Sequence, residues 1–267
     1  MTKHESGASF MATGYAQVSG NVGVCTGTVG PGATNLVTGV ASAYMDSIPV
    51  LVITAQVGSS GVGKAALQEG TGEGRAIDHV EIFDGLTKYS TRIFSVAKLH
   101  DSLRNALRVS LNGRPGPVHL DIMAEVFAAE VEVDENSVKE KMGRYASGGQ
   151  KEAIEKAAQL LLSFKNPAIL AGAGASEASS ELLELAEKFS IPVATTFRGK
   201  GIIPEDHDLC LGCLGLYGTN VANKYLRSGI DVLVAVGTSF SEFTSHAWDE
   251  RFQPSTALIQ MDVDSWE

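Results

Sequence analysis

The residues with chemical potential are few, and most lie in the first 70 positions. Glu5 follows His4 and opens a run of small residues, Ser6-Gly7-Ala8, that suits a helix start, where the helix dipole favours a carboxylate. Gly30-Pro31-Gly32, followed by Ala33-Thr34-Asn35, opens a helix after a strand. Proline is preorganised for a first helical turn, and its flanking glycines let backbone approach a flat ligand or a partner chain closely. Asp46 and Ser47 lead through a turn to Pro49 and a strand. Gln68, between Leu67 and Glu69, is a neutral donor and acceptor in a glycine-rich loop. Later in the chain, Gly172-Ala173-Gly174 links a strand to a helix, where amides can meet a phosphate. The dinucleotide fingerprint is only partly matched, because its third glycine is missing and Arg198 and Lys200 stand where an acid would follow the next strand. Each piece alone also has a plain structural explanation: a helix-start charge, a turn, an exposed loop residue. Cys210 and Cys213 have redox-like spacing, but there is no second pair for zinc, and they are expected to be ordinary thiols in a loop. His79, His100, His119 and His246 show no metal-ligand spacing and are expected to be structural, as is His207.

The elements that must carry these residues alternate. Short runs rich in β-branched residues predict strands at 22–25, 49–54, 118–122, 168–171, 193–196, 232–236 and 258–261. They are near-continuous apolar runs, as expected of strands covered on both faces. Helical periodicity predicts helices at 6–18, 33–45, 96–110, 152–164, 179–189 and 221–227; within 96–110, Leu99, Leu103, Ala106 and Leu107 share one face. The alternation predicts an α/β fold of two domains, each a mostly parallel sheet covered by helices. A polar, glycine-tipped stretch without apolar period predicts a linker over 129–149, between domains 1–128 and 150–267.

Composition narrows the function classes. The chain has 267 residues and a net charge of −10, with no basic run, which argues against nucleic-acid or anionic-membrane partners. Hydrophobic residues make up 44% and charged residues 19%, a globular balance. Three cysteines cannot build a disulfide framework, so a cytoplasmic location is expected. No run approaches the roughly 18–20 apolar residues of a membrane span. The 29 glycines gather at the ends of apolar runs, marking close backbone approach rather than a flexible linker.

Taken in order, the motifs resemble the pyrimidine-binding domain of thiamine-diphosphate enzymes of the acetolactate synthase and pyruvate oxidase group. They are HE-x-x-A-x-x-MA-x-GYA from His4, GPG-x-TN from Gly30, DS-x-P from Asp46, ITAQV from Ile53, QE at Gln68 and RPGPV from Arg114. The second half is similar to the family's middle domain through Gly199-Lys200-Gly201, Pro204-Glu205-Asp206-His207, Gly215-x-x-Gly218 and Met261-Asp262-Val263-Asp264. The resemblance implies that Glu5 hydrogen-bonds the aminopyrimidine ring of thiamine diphosphate and helps generate the carbon nucleophile that attacks a 2-oxoacid. It implies that Pro31, with Gly30, Gly32 and Asn35, packs near that ring. Gln68 matches a glutamine facing the reacting centre from a neighbouring subunit, and Leu67 replaces the family's aromatic residue there. It also implies that the first domain is N-terminally truncated and that the domain binding the diphosphate and Mg2+ through a G-D-G motif is absent. On that reading the chain is one half-site, inactive alone, completed by a homo-oligomer or by a partner carrying the diphosphate-binding domain. Apolar surface is then expected to be exposed around residues 1–30, with oligomerisation or rearrangement there. The alternative is a non-catalytic binding or assembly module: its second domain holds an adenine nucleotide such as FAD, or nothing, with Gly172, Gly174 and Arg198 as the candidate nucleotide contacts, and its first domain serves as a dimer surface; the segment after Gly237 lacks an arginine common in the group.

Overall fold

The structure is a computed structural model that describes residues 1–132, 143–145, 148–163 and 165–264. The chain forms two compact units, Met1–Ala146 and Ser147–Glu267. Part of the expected linker, 133–142 and 146–147, lies outside the described residues, as does Phe164 at the end of one expected helix.

The first unit is built on four parallel strands: β1 (Gly23–Gly27), β2 (Val50–Gln56), β3 (Ser90–Ile93) and β4 (Val118–Met123), in the order β1-β2-β4-β3. Helix α1 (Glu5–Ser19) precedes β1 and starts from an extended His4, whose Nδ1 accepts from the Ser6 amide. Its end is set by Gly20 in the left-handed region, whose N–H donates to the Ala16 carbonyl. Helices α2 (Pro31–Thr34) and α3 (Val37–Met45) follow β1. The single helix expected over 33–45 is thus interrupted. Ser6 Oγ donates to the Asn35 carbonyl across 2.7 Å, and Leu36 is fully buried, so packing against α1 fixes the interruption. Helix α4 (His79–Asp84), capped by the Asp78 carboxylate, was not expected. Helix α5 (Val96–Leu111) packs Leu99, Leu103 and Leu107 against Val118, Leu120 and Ile122 of β4. A short α6 (Ala124–Phe127) follows β4.

The opposite face of the sheet is partly polar, and strand register explains why. Side chains alternate across a strand, so Val50, Val52, Thr54 and Gln56 share one face of β2. Thr54 sits opposite Asp121, Arg92 is also opposite Asp121, and Ser90 is opposite His119. Three strands therefore bring one patch of polar side chains together beneath α4.

The second unit is a five-stranded parallel sheet in the order β7-β6-β5-β8-β9, formed by β5 (Pro167–Ala171), β6 (Val193–Thr195), β7 (Cys210–Cys213), β8 (Val232–Val236) and β9 (Ala257–Met261). Helices α7 (Lys151–Ser163), α8 (Ser179–Phe189) and α9 (Asn220–Arg227) belong to this unit. Apolar clusters line both faces of the sheet, one around Ile169, Val193 and Val234, the other around Leu170, Leu226 and Leu233. The loop expected at Cys210–Cys213 is instead edge strand β7, with Gly212 in the left-handed region producing a register shift. No helix among the described residues is long and apolar enough to cross a membrane.

Candidate active site

A helix preceding a parallel strand runs antiparallel to it, so the start of α1 lies at the edge where β1 and β2 end. That edge gathers the first-unit residues singled out from sequence. Glu5 is half-buried at the first turn of α1. Its Oε2 accepts from Asn35 Nδ2 at 3.1 Å, and a Cβ placed on Gly32 would lie 3.6 Å from its Oε1. Its own backbone N–H, followed by Asn35, holds the Glu5 carboxyl below the usual carboxylate range. Pro31 is exposed at the first turn of α2, beside this carboxylate. Gly30 has φ 66°, and a Cβ there would come within 2.7 Å of Gln68 Cβ. Gln68 is itself in the left-handed region (φ 61°) and exposed, as is Leu67. Glu5, Gly30, Pro31, Gly32, Asn35 and Gln68 thus share one region of one unit, an anionic acceptor beside a glycine turn that packs closely on Thr28 and the Gln68 loop. The region can hold a flat ring and present it with an ionised carboxylate.

Beneath it lies a buried network that sequence reasoning missed. Asp121, fully buried, accepts from Thr54 Oγ1 (2.7 Å), Gln56 Nε2 (3.0 Å) and Arg92 Nε (2.8 Å), and lies 3.1 Å from His79 Nδ1. Burial pushes its carboxyl up, but the bonds from His79, Arg92, Thr54 and Gln56 outweigh that and hold it below the usual range. Since Thr54 donates its hydroxyl to Asp121, His119 Nε2, 2.8 Å from Thr54 Oγ1, must carry its proton. His119 Nδ1 is then an acceptor for the Ser90 hydroxyl, 2.9 Å away, which it shares with the Val80 carbonyl at 3.1 Å. Burial drives its pKa down to about 3, so the ring is neutral. The sequence signal was available: polar residues at every second position of an apolar strand, His119 and Asp121, mark a buried polar face.

In the second unit, Gly172 and Gly174 lie where the chain leaves β5 and turns into a 3-10 stretch, Ala173–Ala178. Their N–H groups donate to the carbonyls of Val236 (2.8 Å) and Gly237 (3.1 Å). A Cβ on Gly172 would collide with the Gly237 carbonyl, so close backbone packing accounts for the glycine. Arg198 is exposed in a short 3-10 turn after β6. Next to it, sequence reasoning missed three exposed rings in series: Phe197 and Tyr217 are 6.5 Å apart, Tyr217 and Phe243 5.8 Å. A separate cavity of about 270 Å³ is lined by Leu161, Phe189, Ile191, Lys165 and Tyr225. Among the described residues, no group of three His, Cys, Asp or Glu side chains could hold a metal ion.

Sequence comparison decides the family. Residues 1–80 match the thiamine pyrophosphate enzyme N-terminal TPP binding domain, and residues 154–267 match the thiamine pyrophosphate enzyme central domain. The chain belongs to the thiamine pyrophosphate enzymes. It is 41% identical over 274 residues to a probable acetolactate synthase large subunit of Methanocaldococcus jannaschii, covering 100% of this chain and 45% of that protein. It is 39% identical over 275 residues to an acetolactate synthase of Arthrospira platensis, covering 100% of this chain and 46% of that protein. It is 35% identical over 268 residues to the acetolactate synthase isozyme 1 large subunit of Escherichia coli, with coverages of 100% and 46%. The chain therefore spans less than half the length of these relatives. In a thiamine pyrophosphate enzyme, the first-unit edge described above falls within the matched TPP-binding domain, at Glu5, Gly30–Gly32, Asn35 and Gln68.

Proposed function

We propose that the first unit supplies the aminopyrimidine side of a thiamine diphosphate site in an acetolactate-synthase-like decarboxylase or carboligase acting on a 2-oxoacid such as pyruvate. The observation that carries this reading is the ionised Glu5 carboxylate, oriented by Asn35 and facing the Gly30–Pro31–Gly32 turn. These residues suit a planar nitrogen heterocycle: an anionic acceptor at one edge, with the exposed Pro31 of the adjoining turn beside it. Thiamine diphosphate, when bound, supplies a carbon nucleophile and an electron sink for decarboxylation. Glu5 would accept a hydrogen bond from the ring and hold the proton there. Gly32 lets the turn pack closely on Thr28 beside the carboxylate, and Pro31, exposed, would present an apolar face to the ring. Gln68 would present an amide donor and acceptor to substrate. The diphosphate and metal would be held by residues other than these 267, in a neighbouring subunit of the longer protein or on a partner, and these 267 residues alone would be inactive. The direct test is Glu5→Gln in the complete enzyme, where turnover should fall about 10²-fold or more; near-normal turnover would remove Glu5 from the mechanism.

A second reading concerns the other unit. The exposed rings of Phe197, Tyr217 and Phe243 all follow carboxyl ends of parallel strands, the edge where α/β sheets take nucleotides. They favour stacking of a flat ring such as the isoalloxazine of FAD, beside Arg198. Incubation with FAD followed by gel filtration tests it: retained yellow colour, lost in Tyr217→Ala, supports the reading, and colourless protein contradicts it.

A further inference from the structure

We propose that His79 positions the Gly30–Pro31–Gly32 turn against the Gln68 loop, acting as a relay from the buried Asp121 carboxylate. The inference deepens the half-site reading and rests on it for its consequence at the cofactor. The Gly30 N–H donates to His79 Nε2 at 3.1 Å. His79 Nδ1 lies 3.1 Å from Asp121 Oδ1, and both side chains are fully buried. An ionised carboxylate only accepts, so Nδ1 must carry the ring proton, which leaves Nε2 as the lone-pair acceptor that Gly30 requires. Asp121 thereby chooses the tautomer that holds the turn.

The same carboxylate governs the other loop. Gln56 donates to Asp121 Oδ2 while its Oε1 accepts from the Gly70 amide at 3.1 Å, two residues past Gln68. Arg92 donates through Nε to Asp121 and through its terminal nitrogens to the carbonyls of Gly70 (2.8 Å) and Thr71 (3.0 Å). A Cβ on Gly70 would collide with the His79 ring, so loop and ring are in direct contact. The two loops meet at Gly30 and Gln68, and both are tied from beneath to one anion. Asp121 and His119 from β4 and Arg92 from β3 are the titratable or charged groups that share the buried patch with His79; Asp78 lies at the start of its own helix. His79 touches no reacting atom on this account, so it is a positioning residue.

The experiment uses 15N-labelled chain and two variants. In the wild type, His79 should show the neutral Nδ1–H tautomer and a protected Gly30 amide. His79→Leu removes the acceptor, and Gly30 exchange should accelerate about tenfold or more. His79→Gln keeps an acceptor oxygen and should restore most of the protection. Thiamine diphosphate, titrated with Mg2+ and followed by chemical shifts, should bind more weakly to the Leu variant by a similar factor and near normally to the Gln variant. A merely structural histidine would instead weaken both variants alike. An Nε2–H tautomer or an unprotected Gly30 amide in the wild type would overturn the proposal even if neither variant folds. A wild type that gives no shifts with thiamine diphosphate would overturn the half-site reading, while the tautomer and exchange results decide the role of His79 independently.

Discussion

Glu5 and His119 show how environment assigns a protonation state. Glu5 is kept ionised by its own backbone N–H and by Asn35. Asn35→Ala should therefore raise the Glu5 titration midpoint, measurable by carboxyl-carbon NMR; an unchanged midpoint would contradict the pairing. His119 is the opposite case, a base kept neutral by burial, with a pKa of about 3 against a reference of 6.5. The unfolded chain takes up a proton between those values and the folded one does not. This contribution to first-unit stability is present above about pH 6.5 and declines by roughly 1.4 kcal/mol per pH unit as pH falls towards 3. Asp121, depressed in the folded state, adds to the loss below about pH 4. Urea unfolding at pH 7, 6 and 5 should show the slope, and His119→Gln should flatten it; a flat wild-type profile would contradict a buried neutral ring. Glu5, Gly30 and Asn35 were legible because their motifs are contiguous in the chain. His79 and Arg92 were not, since each alone looks like an ordinary residue; the alternation of His119 and Asp121 marks a polar strand face, but only strand register and α4 supply its partners.

At the scale of elements, the turn after β1 is the most constrained piece. Gly30 combines φ 66° with a close neighbour at Gln68. Gly30→Ala should cost about 1–2 kcal/mol from backbone conformation alone, and more from displacing the Gln68 loop. Equal urea midpoints for variant and wild type would show that the loop yields freely. Long apolar strands and strongly periodic helices were legible in the sequence: β2, β4, β5, β8 and α8 fall close to their expected limits. What escaped was short or at an edge. Strand β3, Ser-Thr-Arg-Ile, has one fully apolar position, and β7 carries a left-handed glycine, so neither shows a clean period. Helix α4 has six residues, too few for a pattern to register.

On the whole-molecule scale, the first unit leaves apolar surface uncovered. Strand β1 is an edge strand with Val24 exposed, and α1 exposes Met11, Tyr15 and Val18, the last at 91%. Both α1 and β1 are formed, so the surface expected near residues 1–30 exists without rearrangement there. We propose that a second subunit covers this face. Light scattering should find concentration-dependent association that Met11→Lys with Val18→Lys abolishes; a wild type that stays monomeric at high concentration would contradict it. The central claim, that this unit holds the aminopyrimidine side of thiamine diphosphate, has a more direct test. Amide shifts should be mapped while the 15N-labelled chain is titrated with thiamine diphosphate to millimolar concentration, at which even a half-site responds. Shifts should concentrate at Glu5, Gly30, Gly32 and Asn35 and be lost in Glu5→Gln. Shifts confined to the second unit, or none at these four residues, would contradict it.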